Sequence, residues 1–283
     1  MFLQDYAFRI ACVLAIQGAK ELRMQAESAP VLAGREKATT AAAAKILAFR
    51  ELNTHCTTCA LRGLCVPHGL DSRSIESLDA LVTNHLRIRK RASLYRPGDA
   101  FGALYAIRLG TFKTLMLAED GREQVTGFHM AGEILGPDGI SADAYVCQAV
   151  ALEDSEVCVL PFRQLDEMAN DNPLLRRNLY RLISRDIGHD RNMMLLLGSR
   201  CAEERLVVFL LDLAERYHLL GYSSSEFMLR MTREEIASFL GLKLETISRL
   251  FSHLQGQGMI QVQGRAIKLL DLPALKQRVG RHP

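Results

Sequence analysis

The spacing of apolar residues changes period three times along this 283-residue chain. Residues 1–50 read as a helical extension, with Phe8, Val13, Leu14 and Ile16 apolar and an Ala-rich stretch from Ala41 to Ala48. A loop-like link (Glu27-Ser28-Ala29-Pro30, then Gly34) divides it, and nothing in it points to a function. From about Arg91 to Phe162, short alternating runs such as LYAIRLG, TFKTLML and REQVTGF lie between turn signals at Pro97-Gly98-Asp99, Gly110, Glu119-Asp120-Gly121 and Gly132. Brief strands with turns every ten or so residues predict an antiparallel β-barrel or jelly roll. Asp120-Gly121 between two such runs predicts a hairpin turn.

After Pro173 the period becomes helical. Leu175, Leu179, Ile183, Ile187, Asp190, Met194 and Leu197 follow at spacings of three and four and predict one long seam. A second helix from Ala202 to about His218 turns Leu206, Phe209, Leu210, Leu213 and Tyr217 inward. Thr232 and Glu235 then form a T-x-x-E capping box that opens a helix over Arg233–Leu240. Gly241 ends that helix, Leu244–Gln257 forms the next, and MIQVQGRAIKLL folds back through Gln263-Gly264 as a wing. Two short helices joined at a glycine and followed by a wing predict a winged helix-turn-helix. The fold class is α+β. Its expected parts are a helical extension over 1–50, a cysteine-bearing loop plus β-barrel over 51–170, a long helix over 171–200 and a winged helix-turn-helix over 201–283.

Charge sharpens this picture at the C-terminal end. The whole chain carries a net +3. Residues 231–283 hold eight Lys/Arg against four Asp/Glu, a local +4 that suits a polyanionic partner. The last predicted helix splits by face, with Ile247, Leu250, Phe251 and Leu254 inward and Glu245, Ser248, Arg249 and Ser252 outward. Glu accepts from cytosine N4, Arg bonds guanine O6 and N7, and Ser serves a base edge or a phosphate. Glu245, Ser248 and Arg249 are therefore the candidate readers of double-stranded DNA.

Cysteine supplies the candidate chemistry. The run HCTTCALRGLC places Cys56, Cys59 and Cys65 in a C-x₂-C-x₅-C loop, short enough to aim three thiolates at one centre. Such clusters suit iron–sulfur groups or zinc. Seven cysteines, an odd number without the spacing of a disulfide framework, predict a reducing compartment, hence a cytoplasmic location. The N-terminal apolar run is broken by Asp5 and Arg9 and makes no secretory signal, and no stretch nears the ~18 uncharged apolar residues of a membrane span.

From about His55 to Leu270 the chain resembles FNR-type (fumarate and nitrate reduction) regulators of the cyclic-AMP receptor protein/FNR superfamily. The carriers are HCTTCALRGLC, LYAIRLGTFK, REQVTGFHMAGE, EVCVLPF, MMLLL with AEERL, MTREEIASFLGLKLETISRL and GMIQVQGRAI. The resemblance implies an oxygen-labile [4Fe–4S] cluster held by Cys56, Cys59, Cys65 and Cys158. Cys158 is chosen over Cys147 by the string around it, through Pro161-Phe162. Cys12 and Cys201 match no family position and read as inert core residues. Ala60 and Leu64 stand beside ligands as candidate shields. The resemblance also implies a homodimer on a palindromic operator with TTGAT-type half-sites, oxygen as the signal, and contact with RNA polymerase through the turn Ala118-Glu119-Asp120-Gly121-Arg122. Where cyclic-nucleotide relatives hold the phosphate with a Gly-Glu-Leu turn and an Arg-Ser pair, this chain has GPDGISADAYVCQA. A phosphate there would meet Asp138 and Asp143, so no cyclic nucleotide is expected.

The same resemblance gives Ile187 and Asp190 the monomer–dimer balance. Two Asp190 carboxylates facing across a two-fold axis would cost on the order of 1–4 kcal/mol at effective dielectrics of about 80 to 20. A packed Ile187 would contribute roughly 1.5–3 kcal/mol. Two other readings of the cysteines stay open at this stage, structural zinc or a thiol–disulfide switch in the same DNA-binding protein, and an iron–sulfur enzyme. No nucleophile–base pair supports the enzyme, and the expectation is that the chain is not one.

Overall fold

The computed structural model describes residues 55–82, 84–117 and 121–280. The helical extension over 1–50, Cys12 and residues 118–120 of the Ala118–Arg122 turn lie outside them. Eight strands build the first half: β1 (His85–Ile88), β2 (Ser93–Tyr95), β3 (Ala103–Leu109), β4 (Thr111–Leu117), β5 (Glu123–Met130), β6 (Ile134–Leu135), β7 (Gln148–Ala151) and β8 (Ser155–Pro161). They pair antiparallel in two four-stranded sheets, ordered β1-β8-β3-β6 and β2-β7-β4-β5. The sheets face one another as a jelly-roll-like sandwich and do not close into a barrel.

Alternation along β3 shows why. Tyr105 and Ile107 point between the sheets, where Ile88, Phe112, Leu135 and Val157 meet them. Leu104 and Ala106 point the other way, onto an apolar layer with Ile134 and Leu160. Both faces of this sheet are thus buried, and its outer face needs a cover. Gly110 joins β3 to β4 at φ +93°, and a Cβ there would run into the Ser155 side chain.

Three helices provide the cover. These are α1 (Ser72–Leu81), α2 (Phe162–Asp171) and α3 (Pro173–Ser199). Asn172 caps α3 by accepting from the Leu174 and Leu175 amides at 3.1 and 3.0 Å, and Pro173 fills the first turn, where no amide is needed. Leu175, Leu179 and Leu182 then pack with Leu104, Leu160, Leu165, Ile75 and Leu78.

This corrects the expected seam. Its first members, Leu175 and Leu179, are buried inside the sensor half, whereas Ile187 (47%) and Met194 (70%) remain exposed along with Tyr180. Seven-residue spacing from Tyr180 through Ile187 to Met194 gives the free stripe. The regular three-and-four spacing misled because α3 serves two partners, an apolar sheet at its start and open space further on.

The second half comprises α4 (Ala202–Leu219), β9 (Glu226–Met228), α5 (Arg233–Phe239), α6 (Leu244–Gly256), β10 (Ile260–Gln263), β11 (Ala266–Leu269) and α7 (Leu272–Gly280). The wing has three strands, β10-β11-β9, one more than expected. At three residues, β9 is too short to show alternation. Both arms of the capping box form, with Thr232 Oγ1 accepting from the Glu235 amide at 3.1 Å and Glu235 Oε2 accepting from the Thr232 amide at 2.7 Å. Gly241 turns the chain between α5 and α6 at φ +62°. Leu206, Leu210, Ile236, Leu240, Ile247 and Leu254 are fully enclosed around that turn. Among the described residues no helix is long and apolar enough to cross a membrane.

Leu206 sits at the centre of this core. Leu206→Ala is expected to cost about 2–5 kcal/mol in urea unfolding; a loss below about 1 kcal/mol would contradict that placement.

Candidate cysteine centre and nucleic-acid interface

Cys56, Cys59 and Cys65 occupy a compact series of turns ahead of α1, closed by bonds such as Cys65 N to Leu61 O at 3.0 Å. Cys158 lies on β8, the inner strand between β1 and β3. Strand alternation sends Val157 between the sheets and Cys158 outward, to the layer where Cys56 and Cys65 also pack. Four cysteines separated by up to a hundred residues thus share one half-buried patch.

Two side chains hold the loop there. Asp79 of α1 accepts from the Cys56 amide at 2.6 Å and pairs with His55 Nδ1 at 2.7 Å. Asn178 of α3, itself buried, donates to Val66 O at 3.0 Å and His68 O at 2.7 Å. Neither residue carries a motif, so the sequence offered no way to find them. Leu64 packs against Gly132, whereas Ala60 is exposed.

Burial pushes the Cys65 thiol up to about 11 and Cys158 to about 12, with the neighbouring cysteines adding to the shift at both. Burial, with the Asp79 carboxylate next, raises Cys56 as well. Such thiols are protonated and slow as nucleophiles at neutral pH. Arg181 and Arg108 oppose the shifts at Cys65 and Cys158 respectively. Among the described residues no group of three or more His, Cys, Asp or Glu is arranged to hold a single metal ion. The donor chemistry, four soft thiols with the Asp79 carboxylate bonded to the Cys56 amide beside them, does fit a thiolate-ligated iron–sulfur group. Cys147 stands apart, buried beside the Tyr95 hydroxyl, and its thiol is pushed up to about 12 mainly by burial. Cys201 is exposed at the N-terminal cap of α4, not in a core, because its sulfur serves the helix end.

On α6 the predicted division of faces holds. Glu245, Ser248, Arg249 and Ser252 are exposed, and Ile247, Phe251 and Leu254 are buried. Ser248, Arg249, Ser252 and His253 line a shallow groove along the outer face. Arg233, the first residue of α5, was missed. Its guanidinium lies 3.3 Å from the centre of the Phe251 ring, and its Nη1 is buried with no hydrogen-bond partner.

Comparison with known proteins gives this arrangement its relatives. Residues 204–278 match the Crp-like helix-turn-helix domain, and residues 85–172 match the cyclic nucleotide-binding domain. The chain is 45% identical over 226 residues to the transcriptional regulatory protein btr of Bordetella pertussis, covering 80% of this chain and 93% of that protein. It is 42% identical over 226 residues to the fumarate and nitrate reduction regulatory protein of Escherichia coli K12, covering 80% and 90%. The chain belongs to the CRP/FNR family of transcription regulators. Among solved structures, FixK2 from Bradyrhizobium japonicum aligns with a TM-score of 0.64 and 28% identity, over 71% of this chain and 98% of that one. The protein is accordingly a DNA-binding transcription regulator of a family of dimeric regulators, and not an enzyme.

The segment GPDGISADAYVCQA, where no cyclic nucleotide was expected, is tied down by its own carboxylate. Pro137–Ser141 forms a 3-10 turn, and Asp138 Oδ2 accepts from the Val146 and Cys147 amides, both at 2.9 Å. Asp143 adopts φ +53°. Behind them Tyr145 stacks on Tyr95 with ring centres 4.0 Å apart and donates to Ala103 O at 2.7 Å. The carboxylate is thus committed to backbone, and aromatic rings fill the interior behind it.

On α3, Ile187 and Asp190 are both exposed, on the part of the helix free of the sensor core. Asp186, one turn before Asp190, has its carboxyl pushed up to about 7 by burial, then by Asp190 and Glu133. A raised folded value means that stability is complete below the ordinary carboxylate range, about 4, and is lost as pH rises through 7. Asp186→Asn is therefore expected to raise the melting temperature at pH 8 and to change it little at pH 4. Equal gains at both pH values would refute the raised Asp186 carboxyl.

Proposed function

We propose that this CRP/FNR-family protein is an oxygen-responsive regulator in which Cys56, Cys59, Cys65 and Cys158 hold a [4Fe–4S] cluster. The observation that carries the reading is the meeting of a C-x₂-C-x₅-C loop with Cys158 of β8 in one half-buried, all-thiol patch. When bound, such a cluster supplies an oxygen-labile link between that loop and the sheet. The chain's own residues do the rest. Asp79 and Asn178 present the loop, and Asn178 lies on α3, so the position of the loop and that of the helix are joined by direct hydrogen bonds.

Residues 51–170 sense, 171–200 dimerise and 201–283 read DNA. Ile187 adds apolar area to the subunit contact, while Asp190 opposes it by like-charge repulsion until the helix is correctly seated. In the dimer, Glu245, Ser248 and Arg249 of each α6 address one half-site of a palindromic operator. Loss of the link in air frees the loop, unseats α3 and switches binding off. The protein works in the cytoplasm, without a cyclic nucleotide, and meets RNA polymerase through the turn at residues 118–122. Support for an anaerobic role comes from relatives named as fumarate and nitrate reduction regulator and as electron transport regulator. The raised thiols disfavour a fast thiol–disulfide switch.

Anaerobically purified protein is expected to be brown and to bleach in air while losing operator binding; a colourless zinc protein would end the cluster reading. Cys158→Ser should remove most of the iron, and unchanged iron with air-sensitive binding would break the proposed link. Asp190→Ala should dimerise and bind DNA in air, gaining on the order of 1–4 kcal/mol in dimer stability. An Asp190→Ala protein that stays monomeric in aerobic sedimentation would remove the charge from the mechanism.

A further inference from the structure

The sensor half and the DNA-binding half of one chain meet along a surface that the dimer mechanism does not use. Lys113 of β4 donates to Glu235 Oε1 of α5 at 2.9 Å, across 122 positions of sequence. Both side chains are largely enclosed, at 16% and 18% exposure. Glu235 is therefore shared. One carboxylate oxygen caps its own helix through the Thr232 amide, and the other takes the sensor's ammonium. Against the opposing effect of burial, the Thr232 amide and then the Lys113 ammonium hold the Glu235 carboxyl below its usual range.

One turn along α5, Ser238 Oγ accepts from the Val125 amide of β5 at 3.0 Å, and the Gln124 side chain donates to Ser238 O. Val125 is thus an edge-strand amide satisfied by the helix. Below these bonds Phe128 of β5 packs against Phe239 of α5, with ring centres 5.0 Å apart, and against Phe209 of α4 at 6.0 Å. A second polar link backs them, since Arg216 of α4 donates to both Glu133 oxygens at 3.1 and 2.8 Å and to Phe128 O at 2.6 Å. Val125, Phe128 and Met130 belong to the same continuous apolar core as Leu210, Ile236 and Ile247.

We infer that Lys113 and Glu235 are positioning residues, a latch by which the β4–β5 hairpin sets the angle of the recognition helix α6. The geometry limits what else they could do. Both side chains are largely enclosed and engaged with each other, Glu235 through one oxygen with the second on the Thr232 amide, so neither is free to address a base. Glu235 lies on the helix that packs directly on α6 around Gly241. Two half-sites are read together only when both reading helices stand about one turn of duplex apart. Tilting α5 on the sensor moves that separation without altering any base contact. The latch thus gives the sensor a second hold on DNA binding, beside α3 itself, and rests on the two-fold reading proposed above.

The test uses the full chain, purified anaerobically, with Lys113→Met, Lys113→Arg, Glu235→Gln and the double variant Lys113→Met/Glu235→Gln. Gln retains the capping arm at that position, so α5 keeps its start. Each variant is titrated against a palindromic operator, against the same operator with one base pair added or removed between half-sites, and against a single half-site. Sedimentation reports the dimer. Lys113→Met and Glu235→Gln are expected to bind the native spacing on the order of tenfold more weakly. They should also lose preference for that spacing over its neighbours, while dimerisation and half-site affinity stay at the wild-type level. The double variant should be no worse than either single one, and Lys113→Arg should restore the spacing preference. A merely structural pair would lower the melting temperature and leave the spacing profile unmoved, which overturns the proposal. Tighter binding by the single variants overturns it too, since the contact would then be inhibitory. A wild-type chain that shows no spacing preference at all defeats the two-fold reading, and the latch falls with it.

Discussion

The cysteine centre depends on a loop that is pinned at both ends by buried or half-buried polar contacts. Asp79 fixes the head of the cysteine loop and Asn178 fixes its tail. An amide or carbonyl buried without a partner costs about 1–3 kcal/mol, so each bond carries a penalty for leaving this arrangement. Without them nothing shown here would hold the C-x₂-C-x₅-C run against Cys158 on the sheet. With them, three thiols meet the fourth, and the meeting point touches α3.

That helix connects the parts mechanically. Its first half is welded into the sensor core through Leu175, Leu179 and Leu182, and its end joins the DNA-binding core through Leu196. Between those anchors lies the exposed stripe with Ile187, beside the acidic pair Asp186 and Asp190. Apolar area and like charges thus stand side by side on one helix, and they act over different ranges, because Coulomb energy varies with distance while burial depends on close contact. The β4–β5 hairpin adds a second, polar connection to the same reading head.

Much of the fold was legible in the residues themselves. The change from alternation to helical spacing, the Thr232–Glu235 box and the turn at Gly241 located the winged helix-turn-helix almost to the residue. Periodicity and capping are local, so a local reading reaches them. The apparent seam on α3 was less well served. Leu175 and Leu179 obey the same spacing as Ile187 and Met194, yet one pair is sealed against the sheet and the other is open. Spacing reports that a face is apolar, not what covers it.

The sequence by itself determined the kind of protein, a transcription regulator with a cysteine-rich loop and a DNA-reading helix, because cysteine spacing and helix faces are written within ten or twenty residues. Only the tertiary structure decided how those parts communicate. Asp79, Asn178, Arg233 and the Lys113–Glu235 pair follow no motif, and most of their partners stand twenty to over a hundred positions away. Their roles arise from packing, where hydrogen bonds and charges between distant segments are chosen by which surfaces the hydrophobic core brings together.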